Sequence, residues 1–336
     1  MIGSNLLFSI FRKPFENHNV MKYLIIGIGE ALWDCFCNKD GEVYIKKLGG
    51  APANFVFHAT QLGMDALLVS ALGDDEDGRE LKKKLDAHEV KSLMKIHEDI
   101  KTGVVKAFPQ QDGETKYEII ENVAYDHIPF SEELEAHIPE VGAVCFGTLA
   151  QRRNEDTAGT VRRLLGMLDD DALKVYDINI RPTCDVGEAD EIFRTSLKLA
   201  NVLKINEPEL GKLAGLYGVA GLSNEEICRY FIEECDLKML IYTLGEDGSI
   251  VYYREGQEIL ESRCCVSMED VLSELGAVKD EDCDTVGAGD SFTAAFISAL
   301  LKGKPVKEAH ELASRLAAYV CTKQGAMPQM DERVLF

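Results

Sequence analysis

Apolar runs recur along the chain with little polar interruption at residues 22–29, 66–71, 142–147, 173–179, 201–205, 238–244 and 249–253. Runs of this length, apolar at successive positions, predict strands buried on both faces. The intervening segments 52–62, 76–88, 154–169, 188–199, 207–215 and 224–235 carry apolar residues three and four apart, the period of helices with one buried face. Two longer helices, 290–302 and 306–322, close the chain, with Gly303 and Pro305 as the stop and restart between them. Strands alternating with helices predict an α/β fold, a doubly wound and mostly parallel sheet flanked by helices.

Two stretches break the alternation. Residues 31–48 and 100–122 alternate apolar and polar side chains without an intervening helix, as in "EVYIKKL" and "TKYEIIEN". They predict a small accessory sheet, a lid over the edge of the main one. Strand "KYLIIGIG" begins just after Met21, so residues 1–20 read as an N-terminal extension and 21–336 as a single domain. No run of about 20 apolar residues predicts a membrane span.

Composition narrows the chemistry. A net charge of -22 over 336 residues argues against nucleic acid and anionic membrane surfaces as partners. It leaves nucleotides open, because backbone amides and magnesium can neutralise phosphates locally. Ten cysteines with no CxxC pair predict reduced thiols and a cytoplasmic protein.

The chemistry concentrates in two segments. In "DTVGAGDSFTAAF" (284–296), Gly287, Ala288 and Gly289 lead into Asp290 and then a helix apolar on nearly every side. Small residues at a helix start let an anion approach amides that point out of the helix end. A carboxylate there is a poor phosphate ligand but well placed to take a proton from a hydroxyl beside a held phosphate. An aspartate N-cap after a glycine turn has the same local pattern. In "LGGAPANFVFHATQLG" (48–63), Gly49 and Gly50 could admit a polyol close to the backbone, with Asn54 as a polar anchor. A plain strand–helix turn would also account for them.

Taken together, and with "GEALWD" (29–34), "DINIRP" (177–182), "KINEPEL" (204–210), "TLGEDGS" (243–249) and "CTKQGAMP" (321–328) in the same order, the chain resembles the PfkB-type, ribokinase-like carbohydrate kinases, most of all fructokinases. The resemblance implies a ribokinase-like sheet with a β-sheet lid, and an ATP-dependent sugar kinase that uses Mg2+ and could use K+. It implies Asp290 as general base, with Gly287, Ala288 and Gly289 completing an anion hole. It implies Asp34, Gly49, Gly50 and Asn54 at the sugar, with Arg181 near substrate or phosphate. Asn206, Thr243, Gly245 and Gly248 would meet the nucleotide, and Asn206 with Glu209 would hold magnesium through water. Asn206 and Glu209 equally form a capping box. Asp284, Val286 and Gly325 would surround a monovalent cation.

Some positions depart from the family. Residues 266–283 read as a strand plus an inserted acidic helix where adenine would lie, Ser314 replaces a common asparagine, and Val56 is bulkier than usual. "GIGEAL" (27–32) lacks the third glycine of a dinucleotide fingerprint, and no GxxxxGK[ST] loop exists. The substrate expected is D-fructose, phosphorylated at a primary hydroxyl, with 2-keto-3-deoxygluconate, ribose and nucleosides as rivals. Outside that class stand a catalytically silent sugar-binding protein and a nicotinamide-dependent oxidoreductase. Exposed lid edges would suit a homodimer.

Overall fold

The computed structural model describes residues 23–38, 41–109, 115–152, 155–180 and 186–335. The extension at 1–20 and Arg181 lie outside the described residues. One sheet comprises β1 (Leu24–Ile28), β4 (Asp65–Gly73), β5 (Ser92–His97), β8 (Val141–Gly147), β9 (Leu173–Asp177), β10 (Val202–Asn206), β11 (Met239–Thr243), β12 (Ser249–Glu255) and β13 (Glu258–Cys264). Its spatial order is β13-β12-β11-β10-β9-β8-β1-β4-β5. Pairing is parallel from β5 to β11. The last two strands are antiparallel.

Helices α1 (Ala51–Gln61), α2 (Glu76–Ala87), α3 (Glu132–His137), α4 (Glu155–Met167), α5 (Val186–Leu199), α6 (Glu207–Tyr217), α7 (Asn224–Glu234), α8 (Met268–Leu275), α9 (Ala288–Leu301) and α10 (Val306–Val320) cover both faces. Two apolar cores result. Leu24, Ile26 and Ile28 of β1 join Leu164, Leu213 and Phe231 on one face. Ile25 joins Phe55, Phe296 and Leu316 on the other. The period-two split of β1 shows why its sequence is apolar at every position.

The lid is a second sheet of β2 (Leu32–Cys37), β3 (Val43–Gly49), β6 (Gly103–Pro109) and β7 (Thr115–Ile119), in the order β3-β2-β6-β7. One lid face rests on α2. Trp33 is fully buried there, its Nε1 donates to Asp77 O at 2.9 Å, and the Lys46 ammonium lies 4.3 Å from its ring centroid. The opposite face carries Asp34, directly across from Lys47 on β3.

The sequence reading missed β5 and β13. Both are edge strands with mixed exposure, so neither shows a continuous apolar run. The strand expected to open 266–283 is corrected: pairing ends at Cys264, and the chain continues into α8. Ser267 and Asp270 cap that helix reciprocally, and Gly276 ends it at φ 60°. Val56 is accommodated because a Cβ on Gly27 would lie 2.7 Å from its Cγ2 and from Pro52 O. Gly27 thus serves the seat of α1 on β1. Ser314 Oγ turns back to its own helix, donating to His310 O at 2.9 Å.

Two helices of the Phe296 layer each bury a histidine. His58 in α1 meets Ala326 O through Nε2 at 2.9 Å, and His310 in α10 sits between the hydroxyls of Ser249 and Ser262. Burial lowers both pKa values from 6.5 to about 4. The unfolded chain therefore binds more protons than the folded one between about pH 6.5 and 4. Stability should be present above that window and decline as pH falls through it, by at most about 3 kcal/mol per histidine. Urea melts at pH 7 and pH 5 check this; equal midpoints would contradict it.

Candidate active site

The carboxyl ends of the parallel strands lie in a row. Gly147 ends β8, Asp177 ends β9, Asn206 ends β10 and Thr243 ends β11. At about 4.8 Å per strand the row spans roughly 14 Å. Strand β1 pairs with β4 on one side and β8 on the other, so the chain's winding reverses beside β8. Crevices open at such a reversal. A small cleft lies there, lined by Pro52, Gly147, Asp177, Asp290 and Thr293 among others.

Helices α1 and α9 both start at this cleft. Gly50 caps α1 with φ 111° and Gly287 caps α9 with φ 81°. A side chain is strained at either. At Gly50 a Cβ would lie 2.3 Å from Glu30 O, and at Gly287 it would lie 2.7 Å from Ala326 Cα and O. The glycines of both motifs therefore let backbone approach backbone. The Ala326 carbonyl is in turn held by His58.

The two segments singled out by sequence meet side chain to side chain. Asn54 Nδ2 donates to Asp290 Oδ2 at 2.7 Å, across 236 residues of chain. Asn54 is 4% exposed, which fixes the amide and with it the carboxylate. Asp290 sits in the first turn of α9, whose residues Ser291–Leu300 are all buried, so the turn cannot shift without the core. The Ala288 amide already donates to Thr285 O at 3.3 Å, a long bond that a stronger acceptor could displace.

Asp34 stands beside Gly49: a Cβ there would lie 2.1 Å from Asp34 Oδ2. The absent side chain thus makes the space that the carboxylate uses. Gly49→Ala should swing that carboxylate aside while sparing the fold, since only the far end of a side chain must move. On the sugar role that the resemblance implies for Asp34, the expected result is a higher KM for the sugar with an unchanged melting temperature. A normal KM in steady-state kinetics would show that Asp34's setting is unimportant.

Asp284, Val286 and Gly325 also come together. Asp284 Oδ1 accepts from Val286 N at 3.1 Å, and Oδ2 accepts from Gly325 N at 3.1 Å and from Lys47 Nζ at 2.9 Å. With three donors on this carboxylate, one of them cationic, main-chain oxygens are what the loop would offer a potassium ion. Lys47, which the sequence reading passed over, ties the lid to the turn before α9.

Asn206 and Glu209 form the reciprocal cap of α6: Asn206 Oδ1 accepts from Glu209 N at 3.0 Å and Glu209 Oε2 accepts from Asn206 N at 2.9 Å. Glu209 Oε1 accepts from Ile180 N at 2.9 Å. Burial raises the Glu209 pKa, against Lys204 and these amides, which lower it. With both oxygens engaged, the pair suits a hydrated magnesium ion better than a directly ligated one. Among the described residues no cluster of three His, Cys, Asp or Glu could hold a metal ion.

Thr243 lies directly across from Asn206. Gly245 and Gly248 have φ 62° and 88° and turn the chain back into β12. A Cβ on Gly248 would lie 2.3 Å from Cys264 O, so that glycine also packs the edge of the sheet. The described cysteines form no disulfide. Among the described residues no helix is long and apolar enough to cross a membrane.

A parallel sheet with a reversal cleft, a β-sheet lid and a carboxylate at a buried helix start are the features that the resemblance to carbohydrate kinases implies. The chain belongs to the pfkB family of carbohydrate kinases, whose family model matches residues 24–333. It is 28% identical to an ATP-dependent 6-phosphofructokinase of Thermoanaerobacterium thermosaccharolyticum, over 93% of this chain and 92% of that one. It is 27% identical to Fructokinase-1 of Oryza sativa, over 93% and 95%. Among solved structures it resembles fructokinase with bound ATP from Xylella fastidiosa, with TM-score 0.75, 20% identity and coverage of 94% and 97%. It also resembles an uncharacterized sugar kinase from Pyrococcus horikoshii, with TM-score 0.73, 25% identity and coverage of 90% and 93%. The ribokinase-like fold with its separate lid sheet is therefore shown, and the oxidoreductase reading is set aside.

Proposed function

We propose that this protein transfers the γ-phosphoryl group of ATP to a primary hydroxyl of D-fructose, giving fructose 6-phosphate and ADP. The observation that carries the reading is the contact of Asn54 with Asp290 at 2.7 Å, which joins an expected sugar anchor to an expected base at one cleft. In the proposed step Asp290 accepts the hydroxyl proton as the sugar oxygen bonds to phosphorus and the bond to the ADP oxygen breaks. Amides of the Gly287–Asp290 turn would hold charge on the moving phosphoryl group. Magnesium, when bound, would supply further neutralisation on the phosphates, with Asn206 and Glu209 placed to hold its waters. Thr243, Gly245 and Gly248 would flank the nucleotide, and Asp34, Gly49, Gly50 and Arg181 the sugar. Residues 21–336 are read as one domain, with closure of the lid excluding water.

Plant fructokinases among the relatives support fructose. A phosphorylated acceptor, which the bacterial phosphofructokinase relative suggests, needs cations to spare. The lysines of lid strand β3 are committed instead: Lys46 to Asp77 and Glu80, and Lys47 to Asp284. A coupled ADP-release assay tests the reading with fructose, fructose 6-phosphate, ribose, 2-keto-3-deoxygluconate and a nucleoside, with and without potassium. Fructose should give the highest kcat/KM. If no acceptor raises ADP release above the rate without sugar, the kinase reading fails and the silent sugar-binding protein takes its place.

The lid also supports a dimer. Val43, Tyr44 and Ile45 on edge strand β3 are 48%, 59% and 41% exposed. An apolar open edge invites pairing with another. Sedimentation equilibrium should give twice the chain mass; a monomer would refute this arrangement.

A further inference from the structure

Lys204 has no role in the scheme above, yet it is a lysine only 7% exposed, two residues before the end of β10. A buried ammonium persists only where partners offset its lost hydration. Its Nζ donates to Asp177 Oδ1 at 3.0 Å. A Cβ on Gly289 would lie 3.0 Å from Nζ, so the ammonium abuts the turn that starts α9. Asp177 at the end of β9 thus holds the cation beside the turn that starts α9.

That arrangement meets an electrostatic difficulty of the site itself. Asp177 and Asp290 both line the cleft, and a triphosphate reaching the Gly287–Asp290 turn must approach them. Like charges this close repel strongly in a partly desolvated site. We propose that Lys204 is a positioning residue whose ammonium, beside the Gly287–Asp290 turn, offsets the cleft carboxylates of Asp177 and Asp290 and so admits the terminal phosphates of a nucleoside triphosphate. The inference rests on the kinase reading, since only a polyphosphate ligand needs this compensation. A Cβ at 289 would press on the ammonium at 3.0 Å, so a side chain there would shift it.

Isothermal titration calorimetry with magnesium and a non-hydrolysable ATP analogue, against AMP, tests it without turnover. Lys204→Met should weaken the analogue about tenfold, the scale of one charge pair several ångströms apart at intermediate dielectric, while AMP changes less than about twofold. Lys204→Arg should recover most of the analogue's affinity. Equal losses for both nucleotides, or none for either, overturn the proposal. If Lys204→Met does not fold, Lys204→Gln keeps a donor for Asp177 and carries the same comparison. Failure of both to fold would make the lysine a requirement of the core and overturn it as well. A wild-type protein that binds and turns over ATP beside an unaffected variant refutes the role of Lys204 alone. A wild type that binds neither nucleotide refutes the kinase reading, and this inference with it.

Discussion

Asp290→Asn should lower kcat by about a thousandfold or more while leaving the affinities for sugar and ATP nearly intact. General base catalysis is worth about 10²–10⁴-fold. The amide has the carboxylate's shape, so the buried start of α9 should not rearrange. Asn54, which now donates to the carboxylate at 2.7 Å, can still donate to the remaining amide oxygen. The loss should therefore appear in turnover and not in KM. Single-turnover measurements with saturating substrates separate the two. Turnover within a few-fold of normal would mean that another group takes the proton.

Asp34→Ala should act on the other parameter. Asp34 sits on the lid face opposite Trp33, in space left by Gly49 and across the strand pair from Lys47. A carboxylate there can accept from two neighbouring hydroxyls of a sugar. Losing hydrogen bonds to a charged acceptor costs about 1.5–3 kcal/mol, or roughly 10- to 150-fold in affinity. The sugar KM should rise by that factor, with the KM for ATP changed little. A sugar KM equal to that of the native protein would place the acceptor elsewhere.

How much of this could be read from sequence depends on how local the signal is. The strands β1, β4, β8, β9, β10 and β11 announce themselves because burial on both faces removes polar residues from consecutive positions. The edge strands β5 and β13 escape because one side of each meets solvent. The Asn206–Glu209 cap is legible because its partners are three residues apart. The Asn54–Asp290 contact spans most of the chain, and only the resemblance to a family put the two segments in one site. Lys47 carried no signal, and Lys204, though it opens the "KINEPEL" stretch, had no local partner to mark its role. A lysine in an apolar run, or in a strand of alternating polarity, reads as a solvated charge until the partners that neutralise it are known.

Trp33 has a practical consequence. The chain contains a single tryptophan, and it lies on lid strand β2, sealed against α2 beneath the Lys46 ammonium. Any swing of the lid that loosens this seam exposes the indole to water or draws it away from the Lys84 ammonium of α2, 5.4 Å from its ring. Steady-state emission from the unlabelled protein is therefore an optical gauge of lid position, readable while sugar or nucleotide is titrated in.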